Sequence, residues 1–473
     1  MPGEPAAEYH LGVLAKLAGD VEGAIGHFER AAAADGYFAA PRFQLAAAYR
    51  QAGRGEDAER AMAAFRELKA MQADDAVPED PDWSYYSELY DPLAAAPAPA
   101  PPAAEPAFAA REIAALGAVG PAGGGVALLE ADGEPGAEIV AWTPSRVAIF
   151  AGDGTLLADS TASPVPRPLP ALAGLAHLAA GDFDDDGRAD LALATAAGAR
   201  LWRNGEDGWG EVALPESVAG RPFDHALWLD YDHDYDVDLF LFGERPALVR
   251  NVGGGDFADA TERFPFAPGR ATAAVALDLV ADTPGQDLVV AHADGPGVLY
   301  RDLLGGRYEA RPLPDLPAGA GSLAAADLDN DGWTDLAAAT PAGVLFLGND
   351  RRQGLGPFPE SGAAALPAPF ALADVEARGI LDVVTAGGLL RNLGFGRLAA
   401  EPRPLPPRPG GDGAPLAGLA AADLDGDGLP ELVALTAHGR LLRLANRTET
   451  ANGRLVVALG GVKNLELAPA AEI

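Results

Sequence analysis

The sequence predicts a mainly β protein, a seven-bladed β-propeller preceded by a short α-helical module, and three observations carry that reading. Acidic clusters begin at residues 130, 182, 230, 278, 327, 374 and 423, so the interval stays between 47 and 52 residues. An apolar, strand-like run follows every cluster. Residues 6–71 repeat internally at 34 residues in a helical pattern. A period in the high forties with short strands marks a radial or stacked repeat fold. Four-stranded units repeated around an axis are the blades of a propeller.

In the helical module Leu11 recurs as Leu45, Gly12 as Ala46, Gly19 as Gly53, Ala24 as Ala58, Phe28 as Met62 and Ala31 as Phe65. Each half reads as two short amphipathic helices around a glycine turn, LAGD in the first and QAGRGED in the second. Gly12, Ala24, Ala46 and Ala58 are small enough to let paired helices approach closely. This stretch (1–71 as a domain) resembles two tetratricopeptide repeats, whose period is 34 residues. It departs from that family at the early Trp position, held here by Glu8 and Arg42. An ordinary pair of helical hairpins is the plain alternative. Two repeats are fewer than the three that usually suffice, so the module is expected to pack on something else or to continue upstream.

Residues 72–107 form a linker. It opens acidic and aromatic (EDPDWSYYSELYDP) and ends proline-rich (AAAPAPAPPAAEP), a semi-rigid spacer. Trp83, Tyr85, Tyr86 and Tyr90 are too many aromatics for a free coil and are expected to dock on the helices or the propeller.

Residues 108–450 hold the seven units. Each reads as strand, acidic loop, strand, glycine-bearing turn and strand, with room for a fourth. The strands after the loops are EIVAW, DLALAT, DLFLFG, DLVVAH, DLAAAT, DVVTAG and ELVALT. Residues 108–116 are expected to close the ring by adding an outer strand beside RLLRLAN of the last unit, which removes exposed edges.

The loops carry the chemistry. In D-x-D-x-D-G-x-x-D, carboxylates at positions 1, 3 and 5 project inward, Gly at 6 turns sharply, and position 9 closes the shell. Oxygen-only ligands in a flexible loop suit a hard cation, Ca²⁺ before Mg²⁺. An EF-hand would need Glu at position 12, where Leu193, Leu241, Ala338 and Ala434 stand, and a helix where strands follow. One isolated copy is as readily a solvated Asp/Gly turn; recurrence in register with the strands favours coordination. The loops from Asp182, Asp327 and Asp423 are complete, and that from Asp230 has Tyr235 at the glycine position. The loop from Glu130 has Pro135 there, that from Asp278 carries an extra residue, and that from Asp374 has Arg378 where an anion belongs. The Arg378 guanidinium is expected to replace the ion by pairing with Asp374, Glu376 and Asp382.

With their flanking strands, residues 124 to about 446 resemble the FG-GAP/VCBS repeats of integrin-α-like seven-bladed propellers. The resemblance implies about four structural Ca²⁺ ions. Their ligands would be Asp182, Asp184, Asp186 and Asp190; Asp230, Asp232, Asp234 and Asp238; Asp327, Asp329, Asp331 and Asp335; Asp423, Asp425, Asp427 and Glu431. Asn452–Ile473, in the segment 451–473, is similar to the opening of an ASPIC/UnbV domain through Val457, Leu459, Gly460 and Asn464. Such a domain would be incomplete here. The arrangement resembles bacterial proteins that combine these three modules.

Composition excludes several functions. A net charge of −35 argues against nucleic-acid or anionic-membrane partners. There is no cysteine, hence no disulfide or thiolate chemistry. No apolar run of about 18 residues is present to span a membrane, and no secretory signal is visible. Among seven histidines there is no H-E-x-x-H, and G-x-S-x-G and Walker-type motifs are absent. His177 and His225, each five residues before a loop, are expected to face the central channel as packing residues. The protein is therefore expected to be non-catalytic, binding protein partners through the helical repeats and the propeller face. The rival is a lyase- or hydrolase-type propeller enzyme using those two histidines. Ca²⁺ loops of this kind need about 10⁻⁴–10⁻³ M ion, which points outside the cytoplasm; the lack of a visible signal points to the cytoplasm instead.

Overall fold

The computed structural model describes residues 5–34, 38–71, 104–120, 123–129, 137–161, 165–279, 285–350, 354–358, 368–394, 397–399, 402–411, 413–450 and 452. The expectations for the aromatic linker, the loop from Glu130 and nearly all of the C-terminal segment fall outside these residues. The chain divides into two compact units, one helical and one of β-structure.

The helical unit comprises α1 (Pro5–Leu17), α2 (Val21–Ala34), α3 (Ala39–Gln51) and α4 (Gly55–Met71). Both helix starts and both turn glycines recur at the 34-residue offset, with Gly19 and Gly53 in left-handed conformations (φ 81° and 76°). The Phe28 ring lies over Gly12 so closely that a Cβ there would come within 2.6 Å of it. Ala24, Ala46 and Ala58 are buried in a core with Tyr9, Ile25, Phe28, Leu45 and Tyr49. Leu11, the sequence partner of buried Leu45, is 46% exposed, so the two halves do not bury the same face at that position. Glu8, which holds the departing Trp position, is buried and ties α1 to α2 through His27 (2.7 Å) and Arg30 (2.9 Å).

The β-structure is a seven-bladed propeller. In each blade we letter the strands A to D from the axis outward: blade 1 has Gly125–Leu129, Glu138–Thr143, Arg146–Phe150 and Leu156–Asp159, and blade 7 has Leu416–Ala422, Glu431–Thr436, Arg440–Asn446 and Phe108–Ala115. Blade 2 is Leu175–Gly181, Asp190–Thr195, Gly198–Gly205 and Gly208–Val212; blade 3 is His225–Leu229, Asp238–Phe242, Ala247–Asn251 and Phe257–Asp259. Blade 4 is Ala271–Leu277, Asp287–His292, Gly297–Asp302 and Tyr308–Leu313; blade 5 is Ser322–Ala326, Asp335–Thr340, Gly343–Asn349 and Leu355–Pro357. Blade 6 shows three strands among the described residues, Phe370–Ala373, Asp382–Thr385 and Gly388–Leu390. Blade 1 gains a short parallel fifth strand, Arg167–Pro168, that the repeat pattern does not foretell.

The B strands explain the apolar runs of the sequence. In blade 2 every residue of Asp190–Thr195 is buried, and the same holds for Asp287–His292 and Glu431–Thr436, because both faces of these strands are covered by neighbouring blades. Apolar side chains interlock across each junction: Trp142, Val147 and Ile149 of blade 1 join Leu178, Leu191 and Trp202 of blade 2. The outer strand of blade 2, Gly208–Val212, has no buried residue, whereas that of blade 4 buries Tyr308 and Leu313 at its ends.

Closure takes the expected form. Phe108–Ala115 pairs antiparallel with Arg440–Asn446, from Phe108 opposite Asn446 to Ala115 opposite Arg440. The fourth strand of blade 7 is thus supplied by the chain segment that enters blade 1. The seam has its own core, with Ile139 and Phe150 of blade 1 against Val433, Leu435 and Leu441 of blade 7. At the axis, Gly418 passes so near the next inner strand that a Cβ would lie 2.6 Å from the Val126 nitrogen.

Candidate metal centre

Every acidic loop joins strand A to strand B, and its own backbone explains its residue types. Positions 4 and 6 are left-handed: Asp185 and Gly187 (φ 57° and 83°), His233 and Tyr235 (61° and 71°), Asn330 and Gly332 (61° and 83°), Gly426 and Gly428 (73° and 76°). Asp, Asn and Gly tolerate this conformation best, which accounts for position 4 as well as position 6.

The first carboxylate folds the loop around itself. Asp182 accepts the amides of Asp186 (3.1 Å) and Gly187 (2.8 Å), and Asp327 accepts those of Asp331 (3.1 Å) and Gly332 (2.8 Å). The ninth residue latches the loop to strands B and C. Asp190 accepts from Phe183 and Asn204, Asp238 from Tyr231 and Asn251, Asp335 from Leu328 and Asn349, and Glu431 from Leu424 and Asn446. The fifth carboxylate caps the next turn: Asp186, Asp234, Asp331 and Asp427 each accept the amide two residues on.

Four groups of carboxylates converge, each offering oxygens within 4.8 Å of one another. They are Asp182, Asp184 and Asp190; Asp230, Asp232 and Asp234; Asp327, Asp329 and Asp335; Asp423, Asp425 and Glu431. These belong to the same four loops that the sequence singles out. Asp186, Asp238, Asp331 and Asp427 belong to those loops but lie outside the converging sets.

The donor set fits a hard divalent cation. Asp184 Oδ1 and Asp232 Oδ1, both at position 3, are buried and accept no hydrogen bond among the described residues. Such an oxygen is costly unless something positive meets it. Burial pushes the position-9 carboxyls up, Asp190 and Asp238 to about 8 and Asp335 to about 7, with nearby loop carboxylates adding to the rise. A cation at these loops would reverse that cost.

Blades 4 and 6 are built differently beside their loops. In blade 6, Arg378 Nη2 lies 2.5 Å from Asp382 and Nε 3.5 Å from Glu376, both carboxylates wholly buried. Asp374 is reached by the Arg378 backbone amide (2.8 Å) and not by its guanidinium. Arg391 also binds Glu376, a partner the repeat pattern alone does not reveal. In blade 4, whose loop residues 280–284 lie outside the described residues, Asp287 at the start of strand B pairs with the buried Arg301 of strand C.

A second feature missed at the sequence level is an asparagine at the end of strand C. The side chains of Asn251, Asn349, Asn392 and Asn446 donate to the position-2 carbonyl of the preceding blade's loop, at Phe183 (2.8 Å), Leu279 (3.0 Å), Leu328 (2.7 Å) and Val375 (3.0 Å). The signal was present as WRN, VRN, LGN, LRN and LAN at matching places. Blade 4 has Asp302 there, which instead meets His233 Nε2 at 2.8 Å.

The inner strands surround a central cavity of about 870 Å³ lined mainly by Ala, Gly and Leu. His177 and His225 border it with ring centroids 3.6 Å apart. His177 Nδ1 accepts the Ala226 amide (3.3 Å), which ties blade 2 to blade 3.

The FG-GAP repeat family matches residues 319–355, which contain the Asp327 loop and most of blade 5. No curated protein sequence matches the chain. Similar solved structures include an Agrocybe aegerita lectin described as recognising non-reducing terminal N-acetylglucosamine, with 19% identity, TM-score 0.46, and 66% of this chain and 88% of the lectin covered. A BBS1N–ARL6DN complex has 15% identity and TM-score 0.48, with 73% and 99% covered. Saccharomyces cerevisiae Sqt1 has 11% identity and TM-score 0.43, with 67% and 82% covered.

Proposed function

We propose that this chain is a non-catalytic binding protein whose propeller is stapled by Ca²⁺ in four blade loops. The observation that carries the reading is the set of four converging carboxylate groups, two of them with a buried oxygen that accepts no hydrogen bond among the described residues. The ligands would be drawn from Asp182, Asp184, Asp186 and Asp190 in blade 2 and their counterparts in blades 3, 5 and 7. When bound, Ca²⁺ would supply charge neutralisation and a cross-link between the first strand of a blade and the second. Within each loop the ninth residue orients the shell by holding backbone amides, and the fifth closes the turn.

Protein partners are the proposed targets. The helices, read as two tetratricopeptide repeats on the strength of their 34-residue offset, expose Leu11 (46%), Leu14 (61%), Leu17 (79%) and Phe43 (49%). Tyr235 stands 62% exposed on a propeller loop. Large apolar side chains exposed on each unit support protein binding by both. In the channel, His177 is engaged in joining blades, which favours packing over catalysis. The Ca²⁺ requirement supports a location outside the cytoplasm. Asn452–Ile473 is read as the start of an ASPIC/UnbV domain.

Native mass spectrometry of the calcium-loaded chain tests the reading. About four ions are expected per chain. A chain that carries none would contradict it.

A further inference from the structure

We propose that Arg203 and Arg250 are positioning residues of the cation loops, each holding the third-position carboxylate by one oxygen so that the other is left for the ion. This rests on the calcium reading above and deepens it. Arg203 Nε pairs with Asp184 Oδ2, while Asp184 Oδ1 is the buried oxygen that accepts no hydrogen bond. Arg250 repeats the arrangement in the next blade: its Nε lies 2.7 Å from Asp232 Oδ2, and Asp232 Oδ1 is again buried and unsatisfied. Arg250 Nη2 also reaches Asp234, at 2.7 Å. Both arginines stand one residue before the strand-C asparagine, so the register that places Asn204 and Asn251 also places the guanidinium.

An opposite role is conceivable for a cation beside a cation site. The guanidinium and a divalent ion repel each other, so the arginine could be a competitor that must leave before the ion enters. Blade 6 shows that two positive groups sit together at one third-position carboxylate. Arg391 occupies the same place before Asn392 and binds both oxygens of the third-position Glu376, with Nε 3.0 Å from Oε1 and Nη2 on Oε2. The Arg378 guanidinium lies at the same carboxylate, 3.5 Å from Oε2, and 2.5 Å from Asp382 at position 9. One third-position carboxylate therefore accommodates the strand-C arginine and a second positive charge together. In blades 2 and 3 the strand arginine meets Oδ2, and Oδ1 is left for the cation. The physical reason is charge and shape: four carboxylates exceed what one divalent ion neutralises, and the planar fork of Arg fixes a carboxylate's plane as Lys does not.

Calcium titration calorimetry on the full chain tests this, with wild type, Arg203→Gln, Arg250→Gln, Arg203→Lys and Arg391→Gln compared. Melting curves establish that each variant enters the titration folded. Loss of an outer-sphere partner typically lowers metal affinity about 10–100-fold. That fall is expected for one ion in Arg203→Gln and for one in Arg250→Gln, with no change in Arg391→Gln. Arg203→Lys keeps the charge but gives up the fork and is expected to bind that ion more weakly than wild type. Equal or tighter binding in the two Gln variants would overturn the proposal in favour of competition, as would a Lys variant equal to wild type. A wild type that binds no calcium would overturn the calcium reading itself.

Discussion

Arg378 stands at the fifth loop position, where the loops of blades 2, 3, 5 and 7 carry an aspartate. It is nearly buried between Glu376 and Asp382, and burial pushes the Asp382 carboxyl up to about 6 against the pull of the guanidinium. Arg378→Ala would strand the buried Asp382 charge, a loss of about 3–5 kcal/mol, moderated because Arg391 still serves Glu376. Arg378→Asp restores D-x-E-x-D-G-x-x-D and is expected to add one calcium ion by titration calorimetry; a variant that gains none refutes the substitution. The channel histidines give a pH signature. Burial, then the neighbouring His225, pushes His177 well down; burial pushes His225 to about 4, against the opposing pull of its Ala274 contact and Asp224. A folded pKa below the unfolded value of about 6.5 contributes stability at neutral pH that is lost as pH falls from about 6.5 toward 4. Melting profiles against pH should therefore converge at the acid end for wild type and the double variant His177→Gln/His225→Gln. Parallel profiles would show that the rings carry no such linkage. The loop residues were legible because period, carboxylate spacing and glycine agree. The partners of Asp184 and Asp232 were not, since Arg203 and Arg250 lie about 20 residues downstream and meet the loop only after strand C folds back.

At the scale of the element, the blade is a sheet latched at two points. The ninth loop residue ties the loop to its own strand C, and the strand-C asparagine ties the blade to the preceding loop. Asn392 is buried, and its side chain donates to Leu328 of blade 5 and accepts from Gly394 (2.9 Å). Asn392→Ala leaves a buried carbonyl and a buried amide without partners, at a cost of about 1–3 kcal/mol. Urea unfolding measures it, and a change within about 0.5 kcal/mol would show that the cross-blade bond is dispensable. The B strands were readable as apolar runs because both their faces are buried. The D strands were less readable, because Gly208–Val212 has no buried residue and Tyr308–Leu313 is buried only at its two ends, so neither imposes alternation. Blade 6, with three strands among the described residues and an isolated bridge from Leu389 to Arg403, and the added Arg167–Pro168 strand are departures of that same outer edge.

Over the whole molecule, ring closure and charge set the balance. Pairing of Phe108–Ala115 with Arg440–Asn446 joins chain segments more than 300 residues apart, and an Arg440–Glu112 contact at 2.5 Å reinforces the seam. The chain carries −35, and much of that charge is concentrated in loops whose carboxylates lie within 4.8 Å of one another. Removing ions from such loops leaves like charges to repel or protonate. With calcium at about 100 times its dissociation constant, each occupied site adds about 2.7 kcal/mol to the folded state. The helical unit has no converging carboxylate group among its described residues and should not respond. The most direct measurement is scanning calorimetry of the full chain in excess calcium and in chelator. The propeller transition is expected to rise markedly with calcium while the helical transition stays where it is; a propeller that melts at one temperature in both conditions would contradict metal in these loops.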